Sequence, residues 1–142
     1  VFVYGRLPLA YSARCFTARH HNLPKDDCQY RCLNDPEGLT LSTREGQAFL
    51  AINGIQTQSA QTCNLLPELA ELRELKVDVL RISPQAERTE TVIETFAACL
   101  RGESDPLEAA RALNAKLPYG ACDGYWQGQP GLRQVVEVAS RF

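Results

Sequence analysis

Apolar and polar positions change their rhythm several times along this chain, and each change marks an element. Residues 1–12 (VFVYGRLPLAYS) are rich in β-branched, aromatic and aliphatic side chains but are interrupted by Gly5 and Pro8. That pattern predicts two short extended segments rather than one long strand. From Cys15 to Gly38 no period is sustained, and the stretch holds Pro24, Pro36, both histidines and several Asp and Asn. A structureless connection of that length calls for a function or a cross-link. Apolar runs return at 39–43 (LTLST) and 48–52 (AFLAI), read as two strands or as one strand and a short connection. After the Asn53-Gly54 turn signal, residues 55–59 (IQTQS) read as a further strand.

Helical spacing dominates the second half. Over 64–75, Leu65, Leu69 and Leu72 share one helical face, with Pro67 acceptable only in the first turn. Residues 77–82 (VDVLRI) read as the clearest strand of the chain. Ser83-Pro84 reads as an N-cap followed by proline at the first helical position. The helix it opens runs toward Leu100, with Val92, Phe96 and Leu100 in line and Gly102 as a stop. Asp105-Pro106-Leu107-Glu108 resembles a capping box that opens another helix through about Leu117. Residues 118–131 are loop-like, and 132–138 (LRQVVEV) read as a last strand. Strand and helix alternate after residue 55, which predicts an α/β fold with parallel pairing. No repeat or linker divides the chain, so residues 1–142 are expected to form a single domain.

Composition narrows the functional classes. At 142 residues and 44% hydrophobic content, the chain can bury a real core. Its 15 basic and 17 acidic residues leave a net charge of −2, which argues against nucleic acid as a partner. No apolar run approaches the roughly 20 residues of a membrane span, and no signal-peptide pattern opens the chain, so a cytoplasmic location is expected. The chain starts at Val1 and contains no methionine, which predicts a piece of a longer protein.

Six cysteines carry the candidate chemistry. Cys63, Cys99 and Cys122 are scattered, and Cys99 reads as a small buried hydrophobe. Cys15, Cys28 and Cys32 instead sit in one 18-residue segment, within a loop region spanning 13–38. Without a secretory signal, such clustering favours metal ligation over disulfides. Thiolates are soft donors that suit iron–sulfur clusters and zinc. A 4Fe–4S cluster needs four ligands and the segment supplies three, so a fourth is expected from elsewhere in the fold or upstream of Val1. Zinc is the chemical rival, because His20 or His21 would complete a tetrahedral set. Unligated cysteines in a partly buried loop are the plain alternative. Arg14, Arg19, Lys25 and Arg31 surround the thiols. Singly they read as solvated loop charges; together they would lower thiol pKa and suit a carboxylate-bearing ligand. A Cys–His thiol protease lacks any local signature here, and no Gly-rich phosphate loop is present. Tyr125-Trp126 reads as a plug of the core rather than a stacking platform.

VFVYGRLPLAYSARC followed by CQYRC resembles the cysteine-containing core of the collagenase-like peptidase family. Within it the chain is most similar to the ubiquinone-biosynthesis branch, the UbiU/UbiV proteins, and nearest the UbiV group. GLTLSTREGQAFLAINGIQTQSAQTCNLL (38–66), VDVLRISPQ (77–85) and CDGYWQGQPG (122–131) extend the resemblance over nearly the whole chain. The resemblance implies the C-terminal half of a longer protein, holding the later strands of a TIM-type (β/α) barrel. It implies a 4Fe–4S cluster held by Cys15, Cys28 and Cys32 with a fourth cysteine in the N-terminal half. It further implies oxygen-independent hydroxylation of a ubiquinone precursor, with prephenate as oxygen donor, a UbiU-like heterodimer partner and a lipid-carrying accessory protein. Relatives in the family are implied to hydroxylate RNA instead. Members with peptidase activity carry a glutamate before the VFVYG-like strand, at a position outside this chain, and proteolysis is not expected of this branch. Arg14 and Arg19 are the residues expected to hold a dicarboxylate.

Overall fold

The run of β-branched and aromatic residues at the start forms one strand of ten residues, β1 (Phe2–Tyr11), not two short segments. Gly5 does not break it because it takes a φ of 122° within the strand, and Pro8 lies in the strand's exposed outer half. A computed structural model describes residues 1–24 and 26–136 of the chain. These fall into two compact units: Arg6–Gln61, and Val1–Gly5 together with the described residues from Thr62 onward. The strands β1 and β4 (Gln56–Asn64) each contribute to both.

In the first unit, Arg6–Gln61, β1 leads into α1 (Phe16–His20), a 3-10 turn (Arg31–Asn34), β2 (Leu39–Ser42) and β3 (Ala48–Asn53). The three strands β2, β3 and β4 form an antiparallel meander, with Leu39 opposite Ile52, Leu41 opposite Leu50, and Leu50 opposite Ser59. β4 runs well past the predicted 55–59. Its later residues, Thr62, Cys63 and Asn64, are buried, although QTQSAQTCN carries little hydrophobic signal.

In the second unit two parallel pairs appear. Phe2 and Tyr4 of β1 face Arg81 and Ile82 of β5 (Arg81–Ile82), and Thr62 and Cys63 of β4 face Ala121 and Cys122 of β6 (Ala121–Cys122). Parallel pairing was expected and is found in this unit, whereas the meander of the first unit is antiparallel, so the α/β fold holds both kinds of pairing. The predicted helix at 64–75 is a 3-10 turn (Leu66–Glu68) followed by α2 (Leu69–Glu74). Leu65, Leu69 and Leu72 are all buried as their spacing predicted. They pack in a core with Leu66, Val92, Phe96 and Leu113, where the Tyr4 and Phe96 rings meet edge-on at 6.0 Å.

Two predicted elements differ. The strand read at 77–82 shrinks to Arg81–Ile82, because Lys76 at φ 55° turns the chain out of α2 and Val79 stands 70% exposed. The helix α3 (Thr89–Leu100) begins at Thr89 rather than after Ser83. Ser83 still belongs to the sheet edge, since its N–H donates to the Tyr4 carbonyl at 2.8 Å. Along α3, Val92, Phe96 and Cys99 are buried while Leu100 is exposed. At α4 (Pro106–Asn114) Asp105 is the N-cap, its Oδ1 accepting the Glu108 N–H at 2.8 Å, and Pro106 opens the helix, which ends at Asn114 rather than about Leu117. Residues 132–136 are not a strand; the last two residues of that predicted strand, 137 and 138, lie outside the described residues. Among the described residues no helix is long and apolar enough to cross a membrane.

Candidate functional site: the cysteine segment

The segment from Cys15 to Gly38 is fastened at both ends. At its start, Cys15 is the N-cap of α1, and its Sγ accepts the Ala18 N–H at 3.4 Å. Three further bonds tie this start to the β3–β4 turn. Ser12 N–H donates to the Ile55 carbonyl at 2.9 Å, Phe16 N–H to the Gly54 carbonyl at 2.9 Å, and Gly54 N–H to the buried Thr17 Oγ1 at 3.1 Å. At its end, Gly38 (φ 78°) lies so close to β3 that a Cβ there would stand 2.9 Å from the Ile52 carbonyl oxygen. Beside it, the Arg6 guanidinium donates to the Glu37 carbonyl and pairs with the Glu37 carboxylate at 3.2 Å.

Between these anchors the backbone is strained. Gln29 and Tyr30 both sit at left-handed φ, 52° and 50°, in a region that disfavours non-glycine residues. Cys28 precedes this pair, and Cys32 follows it in the 3-10 turn, which contacts α1. Tyr30 and Leu33 are exposed. Cys15, Cys28 and Cys32 are all free and half-buried.

An open cleft of about 420 Å³ adjoins this start, lined by Arg14, Cys15, Ala18, Arg19, Asn22 and Leu23. Two arginines and one thiol singled out from sequence therefore share a single cavity. Among the described residues neither Arg14 nor Arg19 has an ion-pair partner. Arg31 instead turns to the Gln29 side chain at 3.1 Å, and Lys25 lies outside the described residues. His20 and His21 are exposed and stack edge-on at 5.0 Å, away from the cleft lining. Among the described residues no three His, Cys, Asp or Glu side chains converge as a ready metal site.

The remaining thiols behave differently. Cys63 and Cys122 face each other in register and are 6% and 1% exposed, while Cys99 is buried on α3. Burial pushes the Cys63 thiol up to about 12, helped by Cys122 and Asp123, and pushes Cys122 up to about 11. Both are protonated and inert at neutral pH. Thiols with raised folded-state pKa support the fold fully below their unfolded value and lose that support as pH climbs through the folded one. The second unit is therefore expected to lose stability between about pH 9 and 12, and Cys63→Ala to flatten that loss, as read from chemical denaturation across alkaline pH.

Sequence reasoning missed Arg6, Glu37, Thr17 and Gly54. One signal was available: a charged residue inside the apolar run VFVYGRLPL demands a partner. Which partner is set only by folding.

These features describe an α/β protein in which three of the six free thiols share one tethered segment. The chain belongs to peptidase family U32, whose family model matches residues 1–121, the whole cysteine segment included. That is the collagenase-like family its cysteine-bearing stretch resembles. No solved structure matches the chain.

Proposed function

We propose that this chain is the iron–sulfur subunit of an oxygen-independent hydroxylase acting on a ubiquinone precursor. One observation carries the reading: Cys15, the first of three free thiols in one segment, lines the same cleft as Arg14 and Arg19, which have no ion-pair partner among the described residues. The donor set fits an iron–sulfur group, because all three donors are soft thiols, half-buried, and none is locked into a disulfide. Cys15, Cys28 and Cys32 would hold the cluster, with a fourth ligand from outside the segment. The cluster supplies one-electron chemistry when bound. The chain's own contribution is to shield that site and to dock an anion beside it.

Arg14 and Arg19 serve that docking: two guanidiniums with no ion-pair partner among the described residues suit a dicarboxylate such as prephenate, the proposed oxygen donor. The chain contributes later strands to a (β/α) barrel, completed in the whole protein, which works with a UbiU-like partner and a lipid-carrying accessory protein in the cytoplasm. Arg14→Ala is expected to weaken prephenate binding by about ten-fold or more while iron content stays unchanged, since a charge-assisted contact contributes about 1.5–3 kcal/mol. Calorimetric titration with the complete protein, followed by anaerobic hydroxylation assays with the partner, reads this. Unchanged prephenate affinity in both Arg14→Ala and Arg19→Ala would remove the docking role.

A further inference from the structure

A buried guanidinium is costly unless its charge and its donors are both met. Arg6 is 6% exposed, and among the described residues its one ion-pair partner is Glu37. The same guanidinium also donates to the Glu37 main-chain carbonyl, so side chain and backbone of one residue are gripped together. Glu37 lies five residues beyond Cys32 and just before Gly38, whose approach to Ile52 leaves no room for a side chain. The opposite end of the segment is held by Gly54 through Phe16 and Thr17. Cys28 and Cys32 hang between these anchors, next to the strained Gln29-Tyr30 pair.

We propose that Arg6 and Glu37 form a positioning pair that sets where Cys28 and Cys32 stand relative to Cys15. The inference deepens the reading of this segment as metal-binding and rests on it for its purpose, though not for its test. The planar fork of arginine is essential, because lysine cannot meet a carboxylate and a carbonyl in one fixed geometry. Removing the Glu37 charge leaves the Arg6 cation buried and uncompensated. The half-exposed Glu37 end of the segment then loosens to bring water to the guanidinium, and the two thiols move with it.

The test uses the complete chain, metal-free, with iodoacetamide labelling of each cysteine followed by mass spectrometry. Glu37→Gln is expected to raise labelling of Cys28 and Cys32 by about ten-fold through local opening, while Cys63 and Cys122 stay protected. Arg6→Lys should act in the same direction. After iron and sulfide loading, both variants should release iron to a chelator faster than the parent and show an altered electron paramagnetic resonance signal. Unchanged labelling of Cys28 and Cys32 in both variants would overturn the proposal. So would a rise at Cys63 and Cys122 in step with the others, which would make the pair a general stability element. A parent protein that takes up no iron would refute the iron–sulfur reading, while the labelling pattern would still decide the positioning pair.

Discussion

Cys15→Ser is expected to abolish iron retention while leaving the fold as stable as the parent. The residue has two separable tasks. As the N-cap of α1 it offers a side-chain acceptor to the Ala18 N–H, a task serine performs at least as well as cysteine. As a ligand it offers a soft thiolate, which a serine hydroxyl does not replace on iron–sulfur clusters. Cys15→Ala removes both, and should add a loss of about 1 kcal/mol for the missing cap. Iron content and thermal unfolding of the two variants separate these roles. If Cys15→Ser keeps its full iron complement, Cys15 is a cap and nothing more.

Gly5→Ala should be the most damaging small substitution in the framework. Gly5 has a φ of 122°, where a residue with a Cβ costs about 1–3 kcal/mol. The added Cβ would also sit 2.6 Å from the Ser83 Cβ, well inside van der Waals contact. Ser83 cannot withdraw freely, because its N–H is bonded to Tyr4 and the Arg81 N–H beside it to Val1 at 2.7 Å. Either β5 peels from β1 or the strand distorts. A loss of about 3 kcal/mol or more is expected from the two effects together, read as a fall in the denaturant midpoint. A shift worth less than about 1 kcal/mol would show that the β1–β5 pairing is not rigid.

Local signals in the sequence were legible where the structure used them locally. The leucine face at 65, 69 and 72 and the cap at Asp105 depend on residues three or four apart, and both formed as their spacing predicts. The apolar run at 77–82 misled because hydrophobicity alone does not show whether a neighbour strand is there to pair; Val79 stays exposed and only two residues reach β1. Ser83-Pro84 had the composition of a helix start, yet the Ser83 N–H was already committed to the sheet. In the candidate site, the thiols and the arginines of the cleft were visible as residue types in one segment. Arg6 with Glu37, and Thr17 with Gly54, were not, because each joins residues more than 30 positions apart.

Metal and sulfide content with visible absorption, on the anaerobically purified complete protein, tests the central claim most directly. The account predicts a brown protein with about four irons and four acid-labile sulfides, both lost in Cys28→Ala. A colourless protein with stoichiometric zinc would contradict it.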